Sequence, residues 1–317
     1  MANIIEIKDL TKRYGSLIAL NGLTLNVEEG AVVGFIGPNG AGKTTTMRIL
    51  TTLLQPSSGA AYVAGHSVTK EPKAVRRAIG YMPDFFGVYE DMKVWEYLDF
   101  FAACYEIPRP TRAVMIDDLL ALVDLNHKKD DFVENLSRGM KQRLCLARTL
   151  AHDPQVLILD EPASGLDPRA RIEMRELLRE LKNMGKTIFF SSHILSEVSD
   201  ICTSIAILEA GHLIAYGDMQ QMQQQLRPHR LFELRVLGDL ALAQARLLQT
   251  PQITSILTAP EVDIPQNAIR FDFAGSDDQL SDLLTGLIGD GVRVIHFGEE
   301  QGDLEDVFLK VTKGLVQ

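Results

Sequence analysis

The run Gly37-Pro38-Asn39-Gly40-Ala41-Gly42-Lys43-Thr44-Thr45 follows the spacing G-x-x-x-x-G-K-[ST]. An apolar stretch precedes it and a helical one with Met47, Ile49 and Leu50 follows, which is the context this pattern requires. Glycines here let the backbone curl so that successive N–H groups point inward, and a helix N-terminus adds partial positive charge. Such a loop binds phosphate. Lys43 would place a point charge on the β- and γ-phosphates, and the Thr44 hydroxyl would ligate Mg²⁺. A second reactive group, Asp160-Glu161, ends the apolar run Val156-Leu157-Ile158-Leu159. At the carboxyl edge of a parallel sheet, Asp160 would stand beside the loop and hold the water shell of the metal. Glu161 could activate an attacking water, help that is typically worth about 10²–10⁴ in rate.

These groups meet only if a sheet brings them together. Ala31–Ile36, Gln155–Leu159 and Thr187–Ser191 are short apolar runs, as expected of strands covered on both faces. Ile4–Leu10 and Leu23–Val27 alternate apolar and polar residues, as half-buried strands do. Trp95 to about Leu125, continuing through Leu136–Leu150, reads as helical. Ile172, Leu177, Leu178 and Leu181 fall on one face of a further helix, stopped by Gly185. This order predicts a parallel α/β core with a helical insertion over about 88–150.

Periodicity fades over Met219–Arg230, a Gln-rich polar stretch that reads as a linker, and the expected domains are 1–225 and 226–317. Beyond the linker, strands at Leu231–Leu237, Ile253–Leu257, Ile269–Phe273 and Val292–Phe297 alternate with helices at Leu240–Leu248 and Asp278–Ile288. A last helix is expected over Leu304–Val311. The order β-α-β-β-α-β predicts a small α+β, ferredoxin-like C-terminal domain.

Bulk properties exclude several classes. At 317 residues the chain can bury one large core and one smaller one. Its net charge of −10 argues against nucleic acid as a partner. From His229 onward fourteen acids face seven basic residues, so that part carries −7 and suits neither phosphate nor anionic lipid. No window approaches the roughly eighteen apolar residues needed to cross a bilayer. Met1-Ala2-Asn3-Ile4-Ile5-Glu6 lacks a basic region and apolar run, so no secretory signal is expected. Cys104, Cys145 and Cys202 lack metal-ligand spacing and read as reduced thiols of a cytoplasmic protein.

With Leu136-Ser137-Arg138-Gly139-Met140, these residues resemble the nucleotide-binding subunit of ABC transporters over residues 3 to 225. The resemblance implies a P-loop NTPase core with an antiparallel β subdomain, taking ATP and Mg²⁺. Gly37, Asn39, Gly40, Ala41, Gly42, Lys43, Thr44 and Thr45 would surround the phosphates, with Thr44, Asp84 and Asp160 at the metal. Tyr14 looks like the aromatic on which adenine stacks. By the same analogy, the Ser137 hydroxyl and Gly139 N–H reach the γ-phosphate of ATP held by the opposite protomer. Ser164-Gly165-Leu166-Asp167 resembles the loop that crosses the dimer interface, and His193 the switch histidine at the γ-phosphate. Glu161, His193 and Lys43 are the implied catalytic residues. Two chains, preferably a homodimer, would close head to tail on ATP and reopen on hydrolysis. The motion would drive a separate integral-membrane permease from the cytoplasmic face.

Two departures bear on this reading. Asp84 stands where the family commonly has Gln; it can ligate metal but, ionised, cannot donate a hydrogen bond. Arg138 and Met140 stand where Gly and Gln are commoner. That signature, with Lys141-Gln142-Arg143 and the C-terminal extension, resembles export-type members whose permease is a separate chain. An importer subunit, which would need a binding protein, is the alternative. A non-transport ABC ATPase is less favoured, because such proteins carry two cassettes, long coiled-coil insertions or zinc cysteines. The aromatics from Phe85 to Tyr105 mostly suit packing of the insertion, while Phe85, Phe86, Val88 and Tyr89 are expected to receive a permease helix. Phe86→Asp should then release the permease and leave the chain folded.

Overall fold

The computed structural model describes residues 2–85, 87, 89–193, 201–218, 230–238, 240–258, 265 and 267–299. These form two compact units, 2–218 and 230–299. The expected boundary at 225/226 and the helix expected over 304–311 lie outside the described residues.

The first unit begins β1 (Asn3–Tyr14), β2 (Leu17–Glu28), β3 (Val32–Ile36), α1 (Lys43–Leu50), β4 (Ser58–Val63), β5 (His66–Ser67), α2 (Pro72–Ala78) and β6 (Ile79–Met82). It continues α3 (Val94–Cys104), α4 (Arg109–Leu122), α5 (Arg138–Leu150), β7 (Val156–Leu159), α6 (Pro168–Asn183), β8 (Thr187–Ser192), β9 (Ser204–Glu209) and β10 (His212–Asp218). One sheet has the order β10-β9-β3-β8-β7-β6, parallel except for β10. Every residue of β3, β7 and β8 is buried, which is why β3 and β7 carry no polar side chain and β8 is apolar at its centre, Ile188–Phe190. A second sheet, β2-β1-β4-β5, is antiparallel and contributes Ile5, Ile7, Leu20 and Leu25 to a core shared with Val33, Phe35, Met47 and Ile158.

Three local expectations are corrected. The helical reading from Trp95 to Leu125 breaks into α3 and α4, because Glu106 takes a φ of 60° and Pro108 holds an extended backbone ahead of Pro110. The stretch from Leu125 to Ser137 holds only two 3₁₀ turns, so α5 is a separate helix. Ile172 is exposed; Met174 takes the inward place with Leu177, Leu178 and Leu181. Gly185 ends α6 as expected, with a φ of +81°. Strands β4, β5, β6, β9 and β10 had no counterpart in the sequence pattern.

The second unit contains β11 (Arg230–Val236), α7 (Leu240–Leu248), β12 (Ile253–Thr258), β13 (Ala268–Phe273), α8 (Asp277–Gly289) and β14 (Val294–Glu299). Its sheet, β12-β13-β11-β14, is antiparallel throughout, the ferredoxin-like order that the β-α-β-β-α-β succession predicts. Phe232, Leu234, Phe271 and Phe273 alternate inward on the central strands and pack with Leu247, Leu283 and Leu287 of the helices.

Candidate nucleotide site

Four adjacent parallel strands end at one place. β3 runs into the glycine loop, β8 into His193, β7 into Asp160 and Glu161, and β6 into Pro83 and Asp84. Ligands of open α/β sheets bind at such carboxyl edges. The cavity there encloses about 420 Å³ and is lined by Tyr14, Asn39, Gly40, Gly42, Lys43, Thr44, Thr45, Asp84, Glu161, Ser164 and His193, among others.

The loop's shape dictates its glycines. A Cβ at Gly37 would lie 2.2 Å from the Leu208 carbonyl oxygen. Gly42 has a φ of +107°, and a Cβ there would lie 2.6 Å from the Ala19 oxygen. Helix α1 starts directly at Lys43, so its free N–H groups face the cavity. Ala41 is buried beneath the loop. The buried Lys43 ammonium donates to the carbonyls of Gly37 at 2.6 Å and Pro38 at 3.2 Å, with Glu161 Oε1 3.6 Å away. Burial lowers its pKa, opposed first by the charge of Glu161.

Asp160 and Glu161 are held by a residue that carried no signal in the sequence. Ser191 Oγ donates to Asp160 Oδ1 at 2.7 Å and accepts the Glu161 N–H at 2.9 Å. Asp160 is 1% exposed, and its Oδ2 has no hydrogen-bond partner. Glu161 sits at a φ of 52°, a conformation non-glycine residues rarely adopt. Its Oε2 lies 2.8 Å from His193 Nδ1. Glu161 therefore bridges Lys43 and His193, and its neighbour carries the orphan oxygen. An orphaned buried carboxylate oxygen fits a cation or its water shell. Among the described residues no cluster of three His, Cys, Asp or Glu side chains converges to cage a metal. That donor set suits Mg²⁺, which keeps waters and substrate phosphates as ligands.

Asp84 reaches the same cavity from β6. Its carboxyl pKa is raised, by burial first and then by Asp160 and Glu161, while Arg138 and His193 oppose the shift. Tyr14, at 45% exposed, lies on the cavity wall with Lys12 Nζ 5.2 Å from its ring centroid. Ser137 and Gly139 do not line the cavity of their own chain. Ser137 instead caps α5, its Oγ accepting the Met140 N–H at 3.3 Å. Asp167 likewise caps α6. Phe85 is 91% exposed and Tyr89 is exposed too; Phe86 and Val88 lie outside the described residues.

Residues 20–164 match the ABC transporter family. The chain is 35% identical to the Nod factor export ATP-binding protein I of Rhizobium meliloti (strain 1021), across 97% of this chain and 88% of that one. It is also 35% identical to the bacitracin transport ATP-binding protein of Bacillus licheniformis, across 99% of both. The daunorubicin resistance ATP-binding protein of Streptomyces coeruleorubidus is 34% identical across 97% and 95%. A solved ATP-binding subunit of an ABC transporter superposes with a TM-score of 0.64 at 32% identity, over 70% of this chain and 92% of that one. With a P-loop NTPase core and relatives along almost its whole length, the chain belongs to the ABC transporter ATP-binding proteins.

Proposed function

We propose that this chain binds and hydrolyses ATP to power export through a separate membrane permease. The observation that carries the reading is the placement of Glu161 between Lys43 and His193 at the mouth of the phosphate loop. Phosphates enter against the N–H groups of the loop and the start of α1. Lys43 neutralises their charge, and Tyr14 supplies a face for the base. Thr44, Asp84 and Asp160 would hold Mg²⁺, which offsets the negative charge of the phosphates. Glu161 takes a proton from the attacking water, while His193 orients its carboxylate and contacts the γ-phosphate. Ser191 keeps Asp160 and Glu161 in register.

Because Ser137 and Gly139 stand apart from their own cavity, they are free to face the ATP of a second protomer. Two chains thus close head to tail, and loss of the γ-phosphate bridge reopens them. A complete set of motifs favours a homodimer. Relatives named for Nod factor export, bacitracin transport and daunorubicin resistance, each matched along nearly the full chain, support the export direction. No helix among the described residues is long and apolar enough to cross a membrane, so membrane coupling falls to a partner. The exposed Phe85 and Tyr89 suit that contact, which would hold the subunit at the cytoplasmic face. Gentle detergent purification of the natively expressed protein tests this. Stoichiometric recovery of a polytopic membrane protein is expected; ribosomal or DNA-repair partners from the soluble fraction would overturn transport.

A further inference from the structure

The dipeptide Ala-Gly closes two hairpins of the first unit, and in both the next residue is His. Ala64-Gly65 joins β4 to β5, with φ of 49° and 78°, and Ala210-Gly211 joins β9 to β10, with φ of 45° and 78°. Two positive φ values in a two-residue loop match the twist of the flanking strands, so each turn has a local reason for its shape. Their surroundings differ. A Cβ at exposed Gly65 would meet nothing within 4 Å among the described residues. At buried Gly211 it would lie 2.9 Å from the carbonyl oxygen of Ala19 and 3.2 Å from the Cα of Leu20. Gly211 is thus pressed, backbone on backbone, against β2.

Its N–H and its carbonyl are both committed. The Gly211 N–H donates to the Ala41 carbonyl at 3.0 Å, and the Gly211 carbonyl accepts the Asn21 N–H at 2.9 Å. Asn21 Nδ2 donates to His212 Nε2 at 3.2 Å, which braces the same contact from the solvent side. Ala41 belongs to the phosphate loop. Asn21 belongs to β2, whose Leu17 and Ala19 line the cavity and whose Leu17 pairs with Tyr14. One residue therefore bonds both the loop that faces the phosphates and the strand that carries the wall for the base.

We propose that Gly211 is a positioning residue for nucleotide binding. It clamps the phosphate loop to the wall of Tyr14, Leu17 and Ala19, so that phosphates and base are gripped at a fixed separation. The inference rests on the nucleotide reading above and adds this clamp to it. A shift of the turn would move the two walls apart and leave the hydrolytic groups in place. Glu161 and His193 follow β7 and β8, and β3 lies between those strands and β9. Loss of the clamp therefore weakens binding more than the chemical step.

The test compares Gly211→Ala with Gly65→Ala, reading KM and kcat for MgATP and the melting temperature of each variant. Both put a side chain at the same positive φ, so both should lower the melting temperature. Only Gly211→Ala forces β2 away, and it should raise KM about tenfold with kcat changed less than about twofold. Gly65→Ala should keep both constants. Equal rises of KM in the two variants, or an unchanged KM in folded Gly211→Ala, overturn the clamp. If Gly211→Ala yields no folded protein, Asn21→Ala decides instead, because it removes only the exposed brace to His212. A KM raised about threefold at unchanged kcat upholds the clamp, and an unchanged KM overturns it. A wild-type protein that neither binds nor hydrolyses MgATP would instead refute the nucleotide reading, and the clamp with it.

Discussion

Asp160 and Glu233 are buried carboxylates in different units, and they are treated in opposite ways. Glu233 of β11 is 3% exposed and fully engaged, with Arg235 Nε at 2.5 Å from one oxygen and Arg270 Nε at 3.3 Å from the other. Asp160 of β7 is 1% exposed, bonded through one oxygen to Ser191 and orphaned at the other. Removing a carboxylate from water is costly unless partners replace its hydration. The C-terminal unit meets that cost inside its own sheet. The nucleotide unit leaves half of it unmet, at the one cavity where phosphates and a cation would supply the missing partners. Of these two carboxylates, the satisfied one serves the architecture and the unsatisfied one stands at the candidate site.

Substitutions can break this contrast. Glu161→Gln keeps the shape beside Asp160 but removes the base, so phosphate release should fall by about 10²–10⁴ while ATP binding survives. Unaltered turnover would sink the catalytic assignment. Asp160→Asn should lower Mg²⁺-dependent activity by roughly 10–100-fold, an effect of the size seen for residues that support a metal. Its melting temperature should not fall, because an uncompensated buried charge is removed; marked destabilisation would mean that Asp160 is structural after all. Glu233→Ala should do the reverse, costing about 1–3 kcal/mol of stability in the C-terminal unit. Arg235 and Arg270 are partly exposed and can turn to water, which limits the loss. ATPase activity should be unchanged, and a loss of turnover would blur the distinction. The smallest effect concerns the thiols. Burial pushes Cys145 up to about 11 and Cys202 up to about 12, so both stay protonated and unreactive at neutral pH. Exposed Cys104 alone should alkylate in the native protein, read by mass spectrometry, without loss of activity.

How much of this was legible in the sequence follows from how local each feature is. The phosphate loop carries its chemistry in consecutive residues, and an apolar strand ending Asp160-Glu161 announces the sheet edge. The ferredoxin-like unit is legible because short apolar runs and two helices follow one another along the chain in the order β-α-β-β-α-β. Ser191 is not, since its role arises only because β7 and β8 are neighbours. Arg138 shows as an unusual residue in the signature, but its seat on Gly165 exists only once α5 packs beside the segment after β7. The break between α3 and α4 hides for a backbone reason: its left-handed residue is Glu106 rather than glycine, and apolar spacing runs on past Pro108 and Pro110. Ile172 misleads because it lies two residues from Met174, across the helix from the buried face.

The central claim is that a cavity in one chain is completed by Ser137 and Gly139 of another. Mixing two inactive proteins tests it most directly. Lys43→Ala destroys the phosphate site and keeps the signature; Ser137→Arg blocks the signature and keeps the phosphate site. ATP hydrolysis should reappear on mixing, because a mixed dimer contains one intact composite site. If the two proteins form a mixed dimer with ATP yet remain inactive at every ratio, the signature does not complete the partner's site and the account is wrong.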